Sequence, residues 1–339
     1  MGGNGGKTRF FSSRDRIPNA LAGERVAVVG YGHLGQPFAR NLRDSGVANL
    51  VIGNIEDGYA ETARRDGFDV LPIKDAVAQA TVSLILLPDE VVPEVFPSDL
   101  APSLQPASAI VFASGYTLAF DLIRAPADVD VLLVAPRMGG EQARERYLEG
   151  RGFYAYVSVE RDASGKAWTR LLGLADAVGI LKAGALELNA WNEAILDLYI
   201  EQSVGAMLGT AMLTAFATAQ DAGIPPEALV MEMYMSEEME TVWRSFREKG
   251  FFRASHDHGP TAMFGGYIRS MEFMASGLSD TFNRILDDIR SGRFAKQFDD
   301  ERREGYPQLS IAQAMSNEEG PMAEAEKWLR ETLRDRANA

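Results

Sequence analysis

The sequence predicts a two-part chain: an α/β half built on a parallel sheet covered on both faces, then an all-α half. Three observations carry this prediction. Short apolar runs alternate with helical patterns from residue 25 to about residue 182. The first run leads into GYGHLG, residues 30–35, which opens a helical pattern. Beyond residue 182, helical patterns follow one another with no convincing strand.

Taken in order, RVAVVG (25–30) reads as a strand and QPFARNLRDSG (36–46) as a helix stopped by glycine. NLVIGN (49–54) is the next strand and GYAETARRDG (58–67) the next helix. TVSLILLPD (81–89), SAIVFAS (108–114), VDVLLVAP (129–136) and FYAYVSVE (153–160) are continuous apolar runs of the kind a doubly covered sheet produces. KAWTRLLGLADAVG (166–179) is helical, and further helices are expected over 184–222, 226–249, 261–290 and 320–335. The expected divisions are a flexible arm at 1–20, which Phe10 and Phe11 can pin to the body, an α/β domain at 21–182 and a helical domain at 183–339.

The 339 residues suffice for two domains, and 46% hydrophobic with 24% charged residues marks a globular chain. A net charge of −14 argues against nucleic-acid and anionic-membrane partners, both of which select basic surfaces. With no cysteine, disulfides, thiolate catalysis and thiolate metal sites are excluded. The apolar stretches are too short or too interrupted by charge to span a bilayer. The opening MGGNGGKTRFFSSRDR has no signal-peptide apolar core, so a cytoplasmic protein is expected.

GYGHLG has the spacing G-x-G-x-x-G between a strand and a helix, the context that makes this motif informative for a dinucleotide-binding Rossmann fold. Gly30 would permit the tight turn, Gly32 the approach of a pyrophosphate and Gly35 close helix packing. Tyr31, His33 and Leu34 share that turn and are expected to contact cofactor. The second strand ends at Asn54, followed by Glu56 and Asp57; carboxylates here bond the ribose hydroxyls of NADH and repel a 2′-phosphate. No Arg or Lys stands between residues 44 and 63, so NADH is preferred over NADPH. Asp57 before Gly58 equally suits a helix cap, and a glycine-rich turn without ligand is the alternative for the motif. Pro88 and Asp89, at the end of the strand 81–89, complete the expected cofactor contacts.

ILDLYIEQ, residues 195–202, places Asp197 and Glu201 one turn apart on a helix whose other residues are apolar all round. Such a helix is expected to be buried, where unpartnered carboxylates are costly. No Lys or Arg lies between residues 183 and 243 to pair with them. A divalent cation such as Mg²⁺, which takes one or two carboxylates plus water and substrate, satisfies both.

In this order, GYGHLGQPFARNLRDSGV, LLPDEVVPEVF, the run from DVDVLLVAPRMGG to VSVERDASGKA, and LDLYIEQ resemble ketol-acid reductoisomerase in its short, class I form, over about residues 20–300. The resemblance implies an N-terminal nicotinamide-binding domain and a knotted helical C-terminal domain that binds two Mg²⁺ ions. It implies a homodimer or larger assembly whose active sites are shared between subunits. The implied reaction is an Mg²⁺-dependent alkyl migration on a 2-aceto-2-hydroxy acid, then hydride transfer to the resulting 2-keto acid. Asp197 falls on the carboxylate that bridges both ions and Glu201 on a ligand of one.

Several positions depart from the family pattern. Ser114 stands where the family has a histidine, and serine is no proton acceptor near neutral pH. Arg137 stands where the family has lysine; it keeps the charge and can grip a carboxylate, but cannot release a proton. Of the second pair of carboxylates, Glu232 matches the first and Ser236 falls on the second, while a shifted register would select Tyr234 and Glu238. The family's substrate-contacting serine has no clear match in SHDHGPTAMFGG, where His256 and His258 stand instead. A His-x-His turn can supply an acid or base, bind a transition metal or form a polar surface loop.

Loss of a second-ion ligand and of the histidine bears hardest on the migration step, which needs two metals acting together. The expected activity is therefore an Mg²⁺-assisted reductase of a small 2-keto acid or derived imine, with isomerisation weak or lost. In that scheme Asp197 and Glu201 hold Mg²⁺, Arg137 orients the substrate carboxylate, and His256 or His258 supplies the proton. The alternatives are a genuine but divergent reductoisomerase acting on 2-acetolactate, and a non-catalytic NAD(H)-binding sensor or scaffold.

Overall fold

The structure, a computed structural model, describes residues 8–315 and 319–337. It divides into one compact unit ending at Leu196 and a second beginning at Asp197.

The first unit is a nine-stranded sheet in the order β1-β9-β8-β7-β6-β5-β2-β3-β4. The strands are β1 (Phe10–Phe11), β2 (Val26–Val29), β3 (Leu50–Gly53), β4 (Val70–Leu71), β5 (Val82–Ile85), β6 (Ala109–Phe112), β7 (Asp130–Pro136), β8 (Tyr154–Arg161) and β9 (Gly184–Glu187). Helices α1 (Gly35–Asp44), α2 (Gly58–Arg65), α3 (Ile73–Gln79), α4 (Val92–Val95), α5 (Tyr116–Ala119), α6 (Gly140–Leu148), α7 (Ala167–Ala177) and α8 (Ile180–Ala183) connect them. Alternate residues feed opposite layers: Val26 and Val28 enter one apolar cluster, Ala27 and Val29 the other. A strand buried on both faces cannot show polar alternation, which is why these segments read as plain apolar runs.

The sheet is mixed, a correction to the purely parallel expectation. From β2 through β7 neighbouring strands run parallel, but β8 is antiparallel to β7 and β1 is antiparallel to β9. The chain leaves β7 at Arg137, passes through α6 and returns beside its point of departure, where the Arg137 N–H donates to the Tyr154 carbonyl at 2.8 Å. A connection that ends where it began reverses the strand.

Two boundaries also move. GALE, expected to start a helix at 184, is β9, because Gly184 adopts φ 134° and the segment pairs with β8 and β1. Sheet pairing overrides the helical leaning of Ala, Leu and Glu. Residues 8–20 are not a loose arm: Phe11 is buried, its ring centroid 5.4 Å from that of Trp168, and Arg9 lies over both rings. The expectation for residues 1–7 lies outside the described residues.

Helix α9 (Ala190–Ile200) carries the chain into the second unit, where the described elements are helical: α10 (Ala206–Asp221), α11 (Pro226–Val230), α12 (Glu238–Lys249), α13 (Phe251–Ala254), α14 (Pro260–Ala275), α15 (Leu278–Arg290), α16 (Arg293–Arg303), α17 (Pro307–Met315) and α18 (Pro321–Ala337). Helices α16 and α17 had no counterpart in the sequence pattern. The expected helix 261–290 is broken at Gly277, φ 83°, and 226–249 is broken between Met235 and Glu238, with Glu237 at φ 62°. π-helical turns interrupt the helical run at Glu201–Gly205 and Met231–Met235.

Candidate active site

The expected site residues of the first unit lie at the carboxyl ends of β2, β3, β5, β6 and β7. Gly30 and Gly35 have the backbone roles their spacing implied. Gly30 takes φ 93°, and a side chain there would meet the Leu86 carbonyl oxygen at 2.8 Å. A Cβ on Gly35, the first residue of α1, would lie 2.0 Å from the Gly30 carbonyl oxygen. A Cβ on Gly32 would meet nothing within 4 Å, which leaves this backbone open to a ligand.

The other residues of the turn serve mainly to hold it. The Tyr31 N–H donates to Asn54 Oδ1 at 3.1 Å, and its buried side chain donates to Asp66 Oδ2 at 2.5 Å. Burial, then the neighbouring Asp66 carboxylate, raise the Tyr31 phenol well above the usual tyrosine range. Leu34 is partly buried against the core, and the Tyr31 side chain is fully buried. Asn54 also donates to Asp57 Oδ1 at 2.9 Å, and the same oxygen accepts the N–H groups of Tyr59 and Ala60. Asp57 is therefore the cap of α2, the alternative its position allowed, and Glu56 is the exposed carboxylate at this end of β3. Glu56 pairs with Arg64 through contacts of 2.5 and 2.9 Å, and this hydrogen bonding holds its carboxyl below the usual range.

His33 does not simply face solvent: its Nε2 accepts the Gly140 N–H at 3.2 Å, joining the glycine turn to the start of α6. At the ends of β5 and β6, Ser114 Oγ donates to Asp89 Oδ2 at 3.1 Å and accepts the Tyr116 N–H at 3.2 Å. Pro88 is exposed beside this pair in sequence, its carbonyl accepting from Val91 and Val92.

Arg137 is bound by a residue that the sequence reading passed over. Glu193 on α9 is 1% exposed; its Oε1 accepts from Arg137 Nη2 at 2.7 Å and its Oε2 accepts the Gly115 N–H at 2.7 Å. Gly115 has no room for a side chain, since a Cβ would lie 2.2 Å from the Ala190 carbonyl oxygen. The Arg137 guanidinium also lies 5.0 Å from the centre of the Tyr156 ring. The series Glu193, Asp197, Glu201, each four residues on, was the available signal.

In the second unit Asp197 is half-buried and Glu201 exposed, and the helical run that carries them exposes Ile200, Val204, Met207, Leu208 and Leu213. The premise of a fully buried helix is thus corrected: apolar composition all round here marks an uncovered face of the single chain. Glu201 opens one π-helical turn and Glu232 lies in the other, a distortion often found at functional sites. Ser236 caps the π-helical turn that contains Glu232, whereas Glu237, at φ 62°, separates Tyr234 from Glu238. The Tyr234 hydroxyl instead donates to Glu326 at 2.5 Å.

Asp197 and Glu201 fit one hard cation by donor type. Among the described residues no group of three His, Asp or Glu side chains is placed to hold a metal. His256 and His258 are exposed around the short turn Ser255–Asp257. Asp257 between them accepts from Lys249 at 2.5 Å and Ser245 at 2.8 Å, and the Lys249 contact foremost keeps its carboxyl below the usual range.

Comparison with known proteins agrees with this geometry. Residues 20–184 match the model of the acetohydroxy acid isomeroreductase NADPH-binding domain, and residues 191–335 that of the ketol-acid reductoisomerase C-terminal domain. A Saccharolobus solfataricus protein named "Putative ketol-acid reductoisomerase 3" is 35% identical over 322 residues, 93% of this chain and 95% of its own. The solved structure of an NADH-preferring ketol-acid reductoisomerase from an uncultured archean superposes with a TM-score of 0.88 at 32% identity, covering 95% of this chain and 98% of that one. A semialdehyde dehydrogenase NAD-binding protein from Cupriavidus necator, 16% identical with a TM-score of 0.62 over 79% of this chain and 99% of its own, shares the fold alone. With its phosphate-binding turn formed and both domain models matched, the chain belongs to the ketol-acid reductoisomerase family and is an NAD(P)H-dependent oxidoreductase.

Proposed function

We infer that the chain is an NADH-preferring, Mg²⁺-assisted reductase of a small 2-keto acid or an imine derived from one, with alkyl migration weak or lost. The observation that carries this reading is the replacement of an acid–base histidine by Ser114, tied to Asp89 at 3.1 Å, beside an Arg137 fixed by Glu193 at 2.7 Å. An arginine can orient a carboxylate or polarise a carbonyl, but it does not exchange protons near neutral pH. A serine hydroxyl that donates to a carboxylate takes up no proton there either. This end of the sheet is therefore equipped to bind and orient an anionic keto substrate, and poorly equipped to take the hydroxyl proton that migration releases.

The bound nicotinamide supplies the hydride. Gly30, Gly32 and Gly35 shape its phosphate site, while Glu56 disfavours a 2′-phosphate and engages Arg64, the nearest cation along the chain. Asp197 and Glu201 would hold Mg²⁺, which supplies Lewis-acid polarisation of the substrate oxygens. His256 or His258, both exposed, is the proton donor in this scheme. A second copy of the chain is the partner. It would cover the exposed Met207, Leu208 and Leu213 of α10 and the exposed Phe264, Tyr267 and Met271 of α14, and add donors to a carboxylate pair that forms no group of three such ligands among the described residues.

A divergent reductoisomerase is the second reading, favoured by the match of both domain models along nearly the whole chain. One assay separates the two. NADH oxidation with Mg²⁺ is compared on 2-acetolactate and on 3-hydroxy-3-methyl-2-oxobutanoate, its already isomerised keto acid. Turnover of the second alone supports the reductase, and similar turnover of both overturns it.

A further inference from the structure

We propose that His33 is a positioning residue that couples the cofactor's phosphate end to the Arg137 loop. The coupling is carried by the hydrogen bond from the Gly140 N–H to His33 Nε2, 3.2 Å long between residues 107 apart in the chain. The two segments also touch through backbone: a Cβ on Gly140 would lie 2.0 Å from the His33 carbonyl oxygen, and one on Gly139 3.6 Å from His33 Nε2. Glycine at both positions allows the start of α6 to seat on the glycine turn.

The surrounding contacts tie this seat to α1. Arg144 of α6 donates to Asn41 Oδ1 at 2.8 Å and to Asp44 Oδ2 at 2.5 Å, both on α1, the helix whose amino end lies at the phosphate turn. Arg137 lies three residues before Gly140 and is held at its other end by Glu193, which also holds Gly115. A continuous path therefore runs from the turn through His33, Gly140 and Arg137 to Glu193 and Gly115, all within the first unit. A phosphate bound at Gly32 orders one end of this path and a carboxylate bound at Arg137 the other. Each ligand then finds the other's segment already ordered, which is positive coupling without a large movement. Because Nε2 accepts, the ring carries its proton on Nδ1 in this arrangement.

The inference rests on the reading of Arg137 as the substrate anchor, and the experiment separates the two. NADH dissociation constants are measured by fluorescence titration of the full chain with Mg²⁺, with and without saturating 2,3-dihydroxy-3-methylbutanoate, the reduced acid, which keeps the carboxylate but does not react with NADH. In the unaltered protein this acid is expected to tighten NADH about fivefold or more, the low end of ordinary coupling. In His33→Ala the ratio falls to within twofold of unity. In His33→Gln, whose side-chain carbonyl can accept the Gly140 N–H, most of it returns. A ratio of unity in the unaltered protein, a ratio unchanged in His33→Ala, or an equal loss in His33→Gln overturns the proposal. Arg137→Ala tests the anchor separately: an unchanged KM for the keto acid sinks that reading, whatever the His33 variants show.

Discussion

Glu193 and Arg137 meet at 2.7 Å with the carboxylate 1% exposed, and the same carboxylate holds the backbone of Gly115. Removing Glu193 takes the acceptor from the Gly115 N–H and one partner from the part-exposed Arg137, which costs about 1–3 kcal/mol. Glu193→Ala should lose stability on that order in urea unfolding. Glu193→Gln retains an acceptor for the Gly115 N–H and should fold better, yet raise the KM for the keto acid roughly tenfold through a mispositioned Arg137. A Glu193→Gln protein with unaltered KM would show that Arg137 needs no such support.

Cofactor choice should turn on Glu56. The exposed pair Glu56–Arg64 keeps a cation occupied beside a carboxylate that repels phosphate. Glu56→Gln removes the repulsion and releases Arg64, and the NADPH dissociation constant should fall about tenfold, with NADH changed little. The double variant Glu56→Gln with Arg64→Gln should lose most of that gain. Fluorescence titration with each cofactor checks both.

Asp197 should govern the metal dependence. In Asp197→Asn the Mg²⁺ concentration for half-maximal activity should rise by roughly tenfold or more, since one of two carboxylates is lost. NADH binding, set in the other unit, should stay within about twofold. An unchanged Mg²⁺ requirement would remove Asp197 from the metal site.

Stability in acid should report on Arg170, which donates to Glu24 at 2.9 Å and to the fully buried Asp130 at 2.9 Å. Burial pushes the Glu24 carboxyl up, but the Arg170 and Thr81 hydrogen bonds and the Arg170 charge outweigh it and leave Glu24 below the usual range. A depressed folded-state pKa contributes stability that is present above the unfolded-state pKa and disappears as pH falls through the folded-state one. Arg170→Met should cost about 3–5 kcal/mol at pH 7. It should also move the Glu24 part of the acid loss to higher pH, as denaturant unfolding at successive pH values would show.

The legible parts of the fold were those set by local pattern. The strand runs from Val26 to Pro136 and the placement of Gly30, Gly32 and Gly35 follow from apolar continuity and glycine spacing. Strand β9 was hidden because Ala, Leu and Glu favour a helix until β8 and β1 supply hydrogen bonds on either side. The break at Ser236 and Glu237 was hidden as well, because no proline or glycine marks it. At the site, Asp57 could be read equally as a ribose ligand or a helix cap, and only the hydrogen bonds to Tyr59 and Ala60 decide.

By itself the sequence determined that a glycine turn follows the first strand of an α/β half, that Asp197 and Glu201 stand one helical turn apart, and that Ser114 and Arg137 stand at the ends of apolar strand runs. Each is a statement about residue type at a short, fixed spacing, which the chain carries wherever it folds. Tertiary structure alone decided that Glu193 binds Arg137, 56 residues away, that Ser114 reaches Asp89 and that His33 receives Gly140. Those partners come together only because the sheet order places the ends of separate strands side by side, and the reversal after β7 returns the chain to where Arg137 left it.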